Sequence, residues 1–158
     1  MSRVLLFILS VVVALGVARP ASADLTAFVG TTPSPSSRTA RGAALGLSLA
    51  IVGFEAEYSD TSEDGDGPGL QSTMFNLVVQ TPFAISRLQF YGTLGGGMYR
   101  ERLAGHRDTG FGSNFGAGVK ISLVGPIRAR IDYRTFRLGD DSTERTPHRV
   151  YAGLNIAF

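Results

Sequence analysis

The sequence predicts an all-β chain: an eight-stranded antiparallel up-and-down transmembrane β-barrel, following an N-terminal signal peptide. Three observations carry that prediction. Short segments recur in which apolar and polar side chains alternate with period two, and none holds a 3.6-residue helical period over a useful length. The connections between them alternate between long polar stretches and short turns. Beyond the leader the longest apolar stretch is 43–52, and Gly46 and Ser48 interrupt it. Such a chain enters a bilayer only as a closed barrel, because lipid leaves no partner for an unpaired sheet edge.

The leader comes first. Arg3 gives a positive start, 4–18 is an apolar run of 15 residues, and Ala21-Ser22-Ala23 has the small-x-small form of a cleavage site. A spanning helix needs ~20 apolar residues, so the run is short for an anchor. The expected division is a signal peptide over 1–23 and one barrel domain over 24–158. Of the 15 basic residues, Arg3 and Arg19 fall in the leader, which holds no acid. That leaves 13 basic against 13 acidic residues, so the net +2 of the full chain is no argument for a nucleic-acid partner. Lys120 is the one lysine; the other cations are arginines, suited to planar ion pairing. With no cysteine, there is neither a disulfide framework nor the thiol of a lipid-anchored lipoprotein.

Strands are expected over 25–31, 43–52, 54–60, 72–81, 88–100, 112–123, 127–137 and 149–158. Between them, TPSPSSRTARG, SEDGDGPGLQ, ERLAGHRDTGF and LGDDSTERTPH are long and polar, whereas Val52-Gly53, 82–87 and 124–126 are short. All long loops therefore leave one end and all short turns the other. An even strand count returns both termini to the short-turn end. Eleven residues at ~3.3 Å each, tilted by about 40°, rise roughly 28 Å, close to the apolar band of membrane barrels.

Alternation alone does not say which face is inside. IRARIDYRTF puts Arg128, Arg130, Asp132 and Arg134 on one face and Ile127, Ala129, Ile131 and Tyr133 on the other. The last strand opposes Val150, Ala152, Leu154, Ile156 and Phe158 to Arg149, Tyr151, Gly153, Asn155 and Ala157. The first strand is ambiguous, because Phe28 falls opposite Leu25, Ala27 and Val29. Side-chain volume decides. The polar face mixes long side chains with Gly46, Gly95, Gly97, Gly116, Gly118 and Gly153. Inside a narrow eight-stranded cylinder those glycines leave room for Arg and Tyr to cross, whereas on a solvated exterior they only weaken strands. In lipid, each outward arginine near the midplane costs ~2–4 kcal/mol, so the charges face inward.

The depths of the charges are then comparable. Glu55 and Glu57 stand two and four residues beyond Gly53, and Arg128 and Arg130 stand two and four beyond Pro126. With Asp132, Arg134 and Lys120 they are expected to form an ion-pair network plugging the lumen, with Glu57 facing Arg130.

At this level the chain resembles the small outer-membrane β-barrels of Gram-negative bacteria, of the OmpA, OmpX and opacity-protein type. The resemblance rests on LQFYGTLGGGMYR, on FGSNFGAGVKISL with the following IRARIDYRTFRLG, and on the closing VYAGLNIAF. It implies a cell outer-membrane location, with long loops extracellular and termini periplasmic. It implies a structural or surface-interaction, adhesin-like role, and contact with membrane lipid and lipopolysaccharide. It also implies that Val150, Leu154, Ile156 and Phe158 serve as a C-terminal signal for the barrel-assembly machinery. A monomer without cofactor is expected. The chain departs from the pattern in having no Trp, so Phe54, Phe83 and Phe158 would supply the interfacial aromatics. A following peptidoglycan-binding domain, as in two-domain members, is not expected.

Other readings are a small channel, a secreted lipocalin-like carrier whose apolar face lines a cavity, and, last, a barrel enzyme acting on lipid A. For catalysis the sequence offers only His106 and His148, both in or beside long loops and neither in a His-x-Ser context. His106-Arg107-Asp108 lacks the motifs that accompany a kinase catalytic loop. Glu63, Asp64 and Asp66 lack the spacing of a calcium loop, and no Lys-Ser/Thr follows the glycine runs as a phosphate loop requires.

Overall fold

The computed structural model describes residues 21–33, 36–64, 67–140 and 142–158. The proposed leader lies almost wholly outside the described residues, as does Asp66. The described residues form eight strands: β1 (Ser22–Thr32), β2 (Arg38–Leu49), β3 (Val52–Thr61), β4 (Gly69–Gln80), β5 (Leu88–Leu103), β6 (His106–Val124), β7 (Ile127–Arg137) and β8 (His148–Ala157). Each pairs antiparallel with its neighbour in sequence, and β1 pairs with β8, so the sheet closes into an up-and-down barrel. Closure leaves no free sheet edge. Phe158 extends the seam beyond β8: its N–H reaches Ala23 O at 2.8 Å, and Ala23 N–H reaches Phe158 O at 2.9 Å.

The period-two pattern becomes an inverted molecule. Phe54 (65% exposed), Leu154 (58%) and Phe158 (72%) point out with Leu45, Leu94 and Ile131, while Glu57 and Arg130 (1% each) are buried within. The ambiguous first strand resolves the same way. Phe28 turns inward, flanked across both ladders by Gly42 and Gly153, and stacks on Tyr151 with ring centroids 4.1 Å apart. A β-carbon on either glycine would collide with the Phe28 ring or its backbone, so the glycines create the space the aromatic fills. The same device recurs where Gly118 admits the Tyr91 hydroxyl and Gly46 admits the Asp24 carboxylate.

The ends of the strands depart from expectation. The first short turn lies at Ala50 and Ile51, not at Val52-Gly53, and Gly53 is a ladder residue opposite Ser48. Ala50 has φ 52°, the positive value that a two-residue hairpin takes at its first central position. ERLAGHRDTGF is not a long loop. The β5 and β6 strands run on to Leu103 and His106 and join through Ala104 (φ 49°) and Gly105 (φ 83°). Both central residues being left-handed marks a type I′ turn, whose twist matches the strands it joins. At ~3.3 Å per residue and about 40° of tilt, the 19 residues of β6 rise roughly 48 Å. This hairpin overtops the other strands, which have 10 to 12 residues.

Candidate functional site

The site is the charged interior, and the strand register builds it. The β3 strand sends Glu55 and Glu57 inward, β7 sends Arg130, Asp132 and Arg134, and β8 sends Arg149 and Tyr151. Arg130 Nη1 donates to Glu55 Oε2 at 2.5 Å and its Nη2 to Asp132 Oδ2 at 3.1 Å. Arg134 Nη1 donates to Glu57 Oε2 at 2.6 Å, while its Nη2 meets Asp132 at 3.2 Å and Glu55 at 3.4 Å. Arg149 Nη1 closes on Glu57 Oε1 at 3.3 Å and Ser59 Oγ at 2.8 Å. Three guanidiniums thus share three carboxylates. The balance matters, since a single unpaired ion at this depth would carry several kcal/mol of desolvation.

Aromatic rings pack the cations. Arg130 lies 4.8 Å from the Tyr91 ring centroid, and Arg149 lies 4.6 Å from that of Phe136. Tyr91 Oη accepts from Arg130 Nε at 2.7 Å and donates to Asp132, and Tyr151 Oη accepts from Arg134 Nη2 at 3.2 Å. Asn114 donates to Asn76 at 2.8 Å and Asn76 to Glu55 at 3.2 Å, extending the network to β4 and β6. Together these side chains span the cylinder.

Two further ion pairs stand above and below. At the short-turn end Lys120 Nζ meets Asp24 Oδ2 at 2.6 Å, beside a polar vestibule of about 220 Å³. At the loop end Arg38 Nη2 meets Glu144 Oε2 at 2.6 Å and Nη1 meets the Pro68 carbonyl. Glu101 accepts the Thr143 N–H at 2.9 Å, and Tyr99 Oη accepts the Gly139 N–H at 3.0 Å. Segment 138–147 is thereby tied to inward-facing groups of β2 and β5.

Of the seven residues expected to meet in the lumen, Glu55, Glu57, Arg130, Asp132 and Arg134 come together. Lys120 pairs separately with Asp24, and Arg128 donates to Gln89 at 3.4 Å instead of to an acid. The expected facing of Glu57 and Arg130 is corrected: Arg130 pairs with Glu55, and Glu57 with Arg134 and Arg149. The cause is the displaced turn. Counted from Ile51, Glu55 is the fourth residue up, level with Arg130 counted from Pro126. Arg149, Tyr91, Tyr151 and Asp24 were missed as partners. Parity marks Arg149 and Tyr151 as inward, but choosing their partners needs the barrel stagger.

Among the described residues neither histidine forms an ion pair with a carboxylate. His148 Nδ1 lies 2.9 Å from Tyr133 Oη and 3.1 Å from Thr135 Oγ1, and His106 opens β6 beside the hairpin tip. Among the described residues no three His, Cys, Asp or Glu side chains converge as a metal site. The soluble-carrier arrangement, with apolar side chains lining the cavity, is contradicted by the charged interior.

No protein-family model matches the chain, and no curated protein matches it in sequence. Solved structures do match in fold. Neisserial surface protein A, NspA, aligns with TM-score 0.70 at 16% identity, covering 89% of this chain and 99% of that one. The N-terminal β-barrel domain of Pseudomonas aeruginosa OprF aligns at 0.62 and 14% identity, covering 87% and 97%. Ail, the attachment invasion locus protein of Yersinia pestis, aligns at 0.52 and 13% identity, covering 87% and 98%. The closed eight-stranded architecture is therefore similar to that of small outer-membrane barrels over nearly all of the described chain.

Proposed function

We propose that this chain is an outer-membrane barrel with a structural or surface-interaction role, carrying no enzymatic activity, its lumen closed by the arginine–carboxylate network. One observation carries the reading: hydrocarbon side chains cover the outside while three arginines and three carboxylates fill the inside. Water cannot be the solvent of such an exterior, and a bilayer can. In this reading the long β5–β6 hairpin and segment 138–147 face outward, and both barrel termini face the periplasm. NspA is a surface protein and Ail an attachment invasion locus protein, the latter also crystallised with the heparin analogue sucrose octasulfate. Those similarities support the adhesin-like reading over a purely mechanical one.

The protein is expected in the detergent-extracted outer-membrane fraction, with gel mobility that shifts on boiling. In planar bilayers it is expected to give no steady single-channel conductance. A stable conductance level would replace the plugged scaffold with a small channel.

The final strand belongs to the same proposal. Val150, Leu154 and Ile156 share the outer face of β8 and Phe158 stands exposed just beyond it, where assembly machinery would read them as the barrel closes. Deleting Phe158 also removes the Ala23 bond pair, so it cannot separate the two roles. Phe158→Ala keeps the backbone pairing, and is expected to lower the heat-modifiable fraction in cells several-fold while leaving refolding in detergent intact.

A further inference from the structure

The outer wall is not uniformly smooth. On β3 to β6 a groove of about 560 Å³ opens between Phe75, Met98 and Phe111, with Gly96 as its floor. A second hollow of about 480 Å³ shares Phe75 and continues toward Leu94 and Leu47. The register explains both. Across the sheet Ala56, Phe75, Gly96 and Ser113 form one row, in which three small residues leave a trough beside one ring. From Arg100 to Leu94 the track runs ~20 Å along β5, the length of an extended acyl chain.

The upper end of the track is polar and cationic. The row above the groove reads Asp60, Gln71, Arg100, Thr109, spanning ~14 Å across four strands. Arg102 is held by Asp60 at 2.6 Å, whereas Arg100 has no ion pair among the described residues and stands exposed over the groove. Gln71 lines the groove and donates to Tyr58 Oη at 2.6 Å, which leaves its amide oxygen for the role of acceptor. A planar cation for a phosphate, flanked by an amide acceptor and a threonine hydroxyl for sugar hydroxyls, sits directly above an apolar trough. A glycerol phosphate would use only a fraction of that row.

We infer that this wall holds one molecule of a phosphorylated glycolipid, an acyl chain along Gly96 and its phosphate on Arg100. The inference rests on the membrane reading above and deepens it by naming the lipid class. The test is native mass spectrometry of the refolded full barrel in detergent, titrated with bis-phosphorylated lipid A, dephosphorylated lipid A and phosphatidylglycerol.

One lipid A is expected to remain bound, with the other two lipids weaker. Arg100→Gln is expected to weaken lipid A about tenfold, the loss of one charge-assisted contact. Gly96→Leu fills the floor and is expected to weaken both lipid A forms. Arg87→Gln, exposed in the β4–β5 turn at the opposite, short-turn end of the barrel, is expected to change nothing. Equal binding of phosphatidylglycerol, or wild-type binding by Arg100→Gln, overturns the inference. Arg100 is solvent-facing, so that variant stays informative even if Gly96→Leu does not refold. Because binding is read in detergent, its failure leaves the membrane reading standing. Absence from the membrane fraction would instead remove that reading.

Discussion

Arg134 shows how the lumen depends on single residues. It touches all three carboxylates of the central cluster, at 2.6 Å to Glu57, 3.2 Å to Asp132 and 3.4 Å to Glu55. Arg134→Met is therefore expected to destabilise the refolded barrel by about 3–5 kcal/mol, because it leaves buried negative charge uncompensated. Urea-unfolding midpoints in detergent check this, and a loss below 1 kcal/mol would mean the interior is hydrated enough to screen each ion separately. At this scale the sequence was half legible. Parity grouped Glu55 with Glu57 and Arg130 with Asp132 and Arg134 on the polar face, and side-chain volume turned that face inward. Neither said that Glu55 takes Arg130, since that pairing depends on where a turn falls within three residues.

Turns were the least legible elements, for a physical reason. Gly53 and the Gly, Asp and His of 101–111 read as breakers, yet a closed sheet tolerates glycine wherever a large inward neighbour needs its space. The true turns use Ala50 and Ala104 in left-handed conformations, which costs an alanine about 1–2 kcal/mol relative to glycine. Ala104→Asn would convert the β5–β6 tip to Asn-Gly, the preferred pair for a type I′ turn. It is expected to stabilise the barrel by about 0.5–1 kcal/mol, seen as a higher urea midpoint. A lower midpoint would mean the tip is not held in that turn. The strand cores were more legible: β7 starts and ends at the expected residues, its alternation holding as far as Arg134 before Thr135 and Phe136 break it.

For the molecule as a whole, the inversion of inside and outside is legible in the sequence. Two independent constraints agreed on it: glycines clustered on the polar face, and arginines are intolerable against lipid. The matching prediction is spatial. Cysteines placed at 131 and 154 are expected to react with a probe confined to the acyl region, and those at 57 and 130 to stay silent until denaturation. The reverse labelling pattern would undo the membrane assignment. The buried Lys120–Asp24 pair has a practical side as well. Lys120 is the sole lysine of the chain and only 4% exposed, so an amine-reactive dye meets no accessible ε-amino group on the intact cylinder. Side-chain acylation at that one position thus becomes a built-in stopwatch for barrel opening, needing no engineered tag.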